Sequence, residues 1–165
     1  MIKKVLSVLC AMMIFCNLFL VSLVDVKANE DIKVDGSALT KLDTSTGNTR
    51  GEVVTRGEHL MDGECSITKA GRGRIYVYAS TTGDHVVDYI STVIYIDRYN
   101  QETGKWGQID FWQVEDQNTY FVSTSKSLAV DRGYYYRVHA DHVAGMDSDP
   151  AYEEATSATD GIWID

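Results

Sequence analysis

Cysteine is nearly missing from this 165-residue chain: Cys10 and Cys16 fall in an apolar N-terminal run, and only Cys65 lies beyond it. Once that run is removed, a lone thiol cannot close an intramolecular disulfide, so the fold must be held by its apolar core. Positive charge is also scarce. The 15 Lys and Arg face 24 Asp and Glu, a formal net charge of −9, which argues against nucleic acid or an anionic membrane surface as a partner. No G-x-S-x-G, H-E-x-x-H, phosphate-loop or dinucleotide fingerprint occurs, and Gly71-x-Gly73 only marks a turn. On motif grounds nothing supports an enzyme, and no cofactor is implied. Proline occurs once, at Pro150, and helical periodicity is almost absent.

The N-terminus reads MIKKVLSVLCAMMIFCNLFLVSLVDVKANE. Lys3 and Lys4 precede an apolar run over residues 5–24, and Val26-Lys27-Ala28 places small residues where a signal peptidase reads them. Cleavage after Ala28 is expected. A retained anchor is the competing reading, since the run approaches the roughly 20 residues of a bilayer span. Asp25, Glu30 and Asp31 around Lys27 oppose it, because basic flanks would favour retention. Cys10 and Cys16 lack the small-residue setting of a lipoprotein box, so no lipid anchor is expected. Loss of residues 1–28 removes Lys3, Lys4, Lys27 and Asp25 and moves the net charge from −9 to −11. The expected product is secreted, extracellular, acidic and monomeric, with no nucleic-acid or membrane partner.

Residues 29–55 contain no aromatic side chain and are rich in Asp, Thr, Ser and Gly, the composition of a flexible polar leader. All ten tyrosines and all three tryptophans lie beyond residue 75. Over residues 56–165 the apolar period is two, not 3.6. RIYVYAS sets Ile75, Val77 and Ala79 against Tyr76 and Tyr78, and DYISTVIYIDRY sets Ile90, Ile94 and Ile96 against Tyr89, Val93 and Tyr95. KWGQIDFWQV, NTYFVSTSKSLAV, GYYYRVHADHV and DGIWI continue the series, with GECSITKA as an opening strand. Turn-like groups such as Thr82-Gly83-Asp84 and residues 115–118 separate them. About seven short strands at this spacing predict an all-β antiparallel β-sandwich. Ile109 and Phe111 break parity between Trp106 and Trp112, which a β-bulge would resolve.

The segments TRGEHL, GRGRIYVYAST, VDYISTVIYIDRYN followed by GKW, RGYYYRVHADH and TDGIWI resemble a family of small secreted proteins of Gram-positive bacteria whose domain has unknown function. That resemblance covers nearly the whole region after the leader and implies no activity and no catalytic residue. Locally, Tyr136-Arg137-Val138-His139-Ala140 is similar to the penultimate strand of fibronectin type III-like and immunoglobulin-like sandwiches. In those, a tyrosine closes a corner onto upstream backbone.

Several constellations could carry chemistry. In the GYYYRVHADH strand, parity places Tyr134 and Tyr136 on the core side and Tyr135, Arg137, His139 and Asp141 on the other. His139 and His142 therefore point apart and cannot share a metal. Cys65 reads as a small core residue rather than a nucleophile. The acidic loop MDSDPAYEEATSATD offers Asp147, Asp149, Glu153 and Glu154, with Asp160 nearby, as hard oxygen ligands for calcium, though not at EF-hand spacing. The aromatics exceed what one small core needs, so some must lie on an outer face. Tyr76, Tyr78, Trp112 and Tyr135, together with Arg137, His139 and Asp141, form the candidate binding surface.

These observations favour a secreted, non-catalytic binding or interaction module whose ligand is a glycan or a cell-envelope protein. A bacteriocin-like effector or an immunity protein is the alternative. A hydrolase would require His85, His139 and Asp141 to converge.

Overall fold

The computed structural model describes residues 33–49 and 57–165. The expected signal peptide, residues 1–28, lies outside them. Nine strands follow in order: β1 (Lys33–Val34), β2 (Ser37–Thr40), β3 (Thr44–Asn48), β4 (Leu60–Lys69), β5 (Arg74–Asn100), β6 (Lys105–Ala129), β7 (Tyr134–Gly145), β8 (Glu153–Ala158) and β9 (Gly161–Ile164). No helix occurs among the described residues. All nine belong to one sheet ordered β1-β2-β9-β7-β5-β4-β3, with β6 also paired to β5 and β8 to β7.

Over the described residues the fold is thus all-β, as the period-two pattern requires, but the arrangement differs from the expected sandwich of about seven antiparallel strands. It is a single curled sheet, and it is mixed, because β2 runs parallel to β9 through Leu39↔Gly161 and Thr40↔Ile162. The reason lies in the turn-like groups. Thr82-Gly83-Asp84 does not reverse the chain but sits inside the 27-residue β5. The ladder to β6 jumps from Thr82↔Phe121 to Val87↔Thr119, leaving residues 83–86 out of register. Opposite them Asn118 takes the left-handed backbone at φ 54°. A β-carbon on Gly83 would stand 2.9 Å from the His85 carbonyl oxygen, so only glycine fits the bend.

This bend doubles the long β5–β6 ribbon over itself. Ile75, Val77 and Ala79 of the first half of β5 meet Ile94 and Ile96 of the second half in one core cluster, together with Cys65, Ile67, Val138 and Ala140. Truncating one such fully buried side chain costs about 2–5 kcal/mol. The open side of the fold is closed between the two halves of β6, where Trp112 Nε1 donates to Thr124 Oγ1 at 2.8 Å and Lys126 Nζ to Asp110 Oδ2 at 3.2 Å. A smaller cluster of Leu60, Val87, Ile90, Val122 and Ala144 fills the bend end.

The polar segment 29–55, expected as a flexible leader, enters the sheet over its described part as β1, β2 and β3. β3 pairs with β4 from Thr44↔Thr68 to Asn48↔Glu64. It also lies against β8 so closely that a β-carbon on Gly47 would stand 2.0 Å from Ala158 O. Short polar strands lack the apolar alternation that marks a strand locally; pairing with β4 and β9 supplies the stability.

The awkward parity near Trp106 is a one-residue bulge: Ile96 pairs with Asp110 and Asp97 with Gln108, leaving Ile109 unopposed. Tyr136 is 1% exposed and its hydroxyl donates to Asp131 O at 2.8 Å, five residues upstream. Tyr134 departs from its expected core position. At the first residue of β7 it is 36% exposed, with the Arg98 guanidinium 4.8 Å from its ring centroid.

Candidate functional site

The face of β5 and β7 turned away from the core carries a group of polar and aromatic side chains in mutual contact. Register sets it: Tyr95 opposes His139, Asp97 opposes Arg137 and Val93 opposes Asp141. β6 adds Trp106 opposite Tyr99 and Phe111 opposite Tyr95, and β9 adds Trp163 opposite Tyr135.

Asp97 is the pivot, only 4% exposed. Arg137 Nε donates to Asp97 Oδ2 at 3.0 Å, and Arg137 Nη1 reaches Ser37 Oγ at 3.1 Å and Asp35 O at 3.3 Å. His139 Nδ1 stands 3.2 Å from Asp97 Oδ2, but off the hydrogen-bonding direction, so this buried nitrogen has no hydrogen-bond partner. Burial alone would raise the Asp97 carboxyl, yet the adjacent His139 ring and the Arg137 guanidinium outweigh it and hold the group below the usual carboxylate range.

Rings surround this network. Phe111, Tyr95 and His139 stack in sequence, with centroids 6.0 and 4.6 Å apart and planes within 16° and 9°. On the other side of Asp97, Arg137 lies over the Trp106 ring, its Cζ 4.6 Å from the centroid. Tyr99 tilts on Trp106 by 55°, and Tyr135 meets Trp163 at 64° and 5.0 Å. Trp106 in turn covers Gly161, where a β-carbon would stand 2.6 Å from its ring. Burial, and then the neighbouring Asp141 carboxylate, raise the Tyr95 hydroxyl above its ordinary value.

The seven residues expected to form one binding surface are divided. Tyr135, Arg137, His139 and Asp141 share this face. Tyr76 and Tyr78 lie on the outer side of the β4–β5–β6 region, since their neighbours Ile75, Val77 and Ala79 are fully buried. Trp112 lies in the seam between the halves of β6, with Lys126 4.8 Å over its ring. The bulge at Ile109 is what turns it there. Trp106 and Trp163, by contrast, join Tyr135. The sequence showed a surplus of aromatics but not which strands would be neighbours.

The other candidates separate as well. The His139 network does not include His85, whose Nε2 is 3.2 Å from His59 Nδ1. His59 Nε2 lies 2.7 Å from Asp149 Oδ2. This His85–His59–Asp149 chain joins three distant segments, and no local pattern announced it. Glu153 accepts hydrogen bonds from the backbone N–H groups of Glu58, His59 and Leu60 at 2.5, 2.9 and 2.6 Å. Burial would raise its carboxyl, but these donors prevail and hold it below the usual range. Asp147 Oδ1 accepts from the Tyr152 hydroxyl at 2.9 Å, while Glu154 is exposed. Of the four carboxylates considered for calcium, Asp147, Asp149 and Glu153 thus each hold a different partner. Among the described residues, no three or more His, Cys, Asp or Glu converge as metal ligands.

His142 and Cys65 are buried. His142 Nδ1 is 2.9 Å from Thr81 Oγ1 and its Nε2 2.8 Å from Ser157 Oγ. Thr81 already gives its proton to Ser91 O, so the network assigns the imidazole proton to Nδ1. Burial lowers the His142 pKa from 6.5 to about 4 and raises that of the Cys65 thiol from 9.0 to about 11. Neither can act on a solvent-borne substrate.

No curated protein matches the chain. Residues 28–160 match the profile of DUF6147, a family of unknown function. That match spans most of the sequence, and the chain belongs to the DUF6147 family.

Proposed function

We propose that the chain is a secreted, non-catalytic binding module that engages a protein of the cell envelope through the β5–β7–β9 face. The observation that carries this reading is the Tyr135–Trp163 and Tyr99–Trp106 ring group fixed around the Arg137–Asp97 pair. Tyr, Trp and Arg dominate the energetic centres of protein interfaces, and rings already held by one another lose little freedom on binding. A protein partner is favoured over a glycan at this face because the rings are turned 55° and 64° to one another. They offer no shared plane on which a row of sugars could lie. The excess of acidic residues favours a partner with a basic rim. The separation of His85 from the Asp97–His139 network supports a non-catalytic role, and the acidic balance argues against nucleic acid.

The test is a binding isotherm of the fluorescent full chain on cells of the producing organism, intact and after protease shaving of the surface. A Tyr135→Ala chain is measured in parallel. A saturable component that is lost on shaving, and weakened at least about tenfold in Tyr135→Ala, is expected for an interface centre. Equal binding by wild type and variant, or a Tyr135-dependent component that survives shaving, overturns the proposal.

A further inference from the structure

The outer face of β3, β4 and the first half of β5, with the second half of β6, presents two uncharged rows between Glu64 and Arg74. Register places Thr46, Ser66, Tyr78 and Ser125 in one row across four strands. The next row, two residues along, is Thr44, Thr68, Tyr76 and Ser127. Neither row contains a charged residue, although the chain as a whole carries −9. The rows repeat at about 4.8 Å across the strands and about 6.8 Å along them.

These hydroxyls are presented rather than consumed. Thr44, Thr46, Ser125 and Ser127 are exposed, Tyr76 is 42% exposed, and Ser66, Thr68 and Tyr78 are half-buried. Only Thr44 and Thr68 are engaged, with each other at 2.9 Å and, for Thr44 Oγ1, with Ile67 O at 3.2 Å. Among the described residues, the side chains of Thr46, Ser66, Tyr78 and Ser125 make no hydrogen bond, and neither Tyr76 nor Tyr78 packs on another ring. In this they are unlike the rings of the β5–β7–β9 face. A soluble sheet face ordinarily carries charges, which repel neighbours and keep an edge from aggregating. Two uncharged rows of donors and acceptors, with one exposed and one half-buried tyrosine, match a partner that is itself uncharged and rich in hydroxyls. Tyrosine faces stack on the apolar face of a pyranose while hydroxyls on either side exchange hydrogen bonds with the ring substituents.

We infer that this face is a second binding surface, for an extended neutral polysaccharide, distinct from the protein-binding face proposed above and independent of it. With both, one small domain would link a surface protein to an uncharged glycan. Anionic polymers are disfavoured by the chain's own charge, so a neutral chain is the class the face selects.

The test is affinity electrophoresis of the full chain in native gels containing hydroxyethyl cellulose, soluble mixed-linkage β-glucan or dextran, with polygalacturonate as the anionic control. Retardation by at least one neutral polymer is expected, reduced at least tenfold in the Tyr76→Ala/Tyr78→Ala double variant and in Ser125→Glu. Ser125 is exposed, so the second variant keeps the fold, and a melting curve confirms that it does. Tyr135→Ala should be retarded like wild type, which separates this surface from the other one. Mobility unchanged in all three neutral polymers, retardation by polygalacturonate alone, or retardation insensitive to both variants overturns the inference.

Discussion

His142 lies directly over Gly63: a β-carbon on residue 63 would stand 2.3 Å from the imidazole Cγ and Cδ2. The ring cannot move aside, because both its nitrogens are held, by Thr81 and Ser157. Gly63→Ala must therefore displace β4 or break that network. A loss of about 2 kcal/mol or more is expected, at the upper range of overpacking. Urea unfolding at neutral pH measures it, and a loss below about 0.5 kcal/mol would place Gly63 among ordinary surface substitutions.

The same histidine makes stability depend on pH. In the unfolded chain its ring titrates near about 6.5, whereas burial holds the native ring at about 4. Between those values the unfolded chain binds the proton more readily, so stability is full above about pH 6.5 and falls as pH drops towards 4. The loss approaches about 3 kcal/mol at the lower end. Urea midpoints at pH 7, 5.5 and 4.5 should fall in the wild type and fall less in His142→Gln. Parallel losses in both chains would remove His142 as the cause.

Much of this core was readable from alternation alone. Ile75, Val77, Ala79, Ile94, Ile96 and Val138 face inward as period two requires, and all are fully buried. Tyr136 took the corner role its position suggested. What alternation could not convey is how strands continue. Gly83 and Asp84 have the chemistry of a reversing turn, yet here they bend a strand that goes on to Asn100. A local pattern does not distinguish the two, because the difference lies in the pairing with β6. The site was half legible for a related reason. Parity along one strand grouped Tyr135, Arg137, His139 and Asp141. Their neighbours Asp97, Trp106 and Trp163 come from other strands, and the bulge at Ile109 moved Trp112 away.

Asp97 and Arg137 make the next prediction. Arg137 and Asp97 side chains are 12% and 5% exposed, so removing the carboxylate strands a guanidinium in a poorly hydrated site. Asp97→Ala should lose about 3–5 kcal/mol, while the pair replacement Asp97→Leu/Arg137→Met should lose much less. Equal losses in the single and double variants, measured by urea unfolding, would show that the ion pair itself is not what the fold depends on.

Tyr136 permits a narrower test. Tyr136→Phe removes only the hydroxyl that donates to Asp131 O and should cost about 1 kcal/mol. Tyr136→Ala empties a fully buried site and should cost about 3–5 kcal/mol. Thermal melts of the two variants separate the hydrogen bond from the packing, and an unchanged melt of Tyr136→Phe would contradict the corner assignment.

Cys65 should be inert in the native state. With the thiol pushed to about 11 and the side chain fully buried, Ellman's reagent should modify it only as fast as the chain unfolds. Rapid labelling in native buffer, with full labelling in urea no faster, would contradict the packing of β4 against β7.

Hydroxyl-radical footprinting reads the proposed interface most directly. The full chain is exposed to radicals alone and after saturation with the solubilised surface-protein fraction of the producing cells, and oxidation is quantified residue by residue. Tyr135, Trp163 and Trp106 should be protected several-fold, while exposed Tyr152, on the far loop, is unchanged. Unaltered oxidation of all three rings, or protection confined to residues outside the β5–β7–β9 face, would contradict the account.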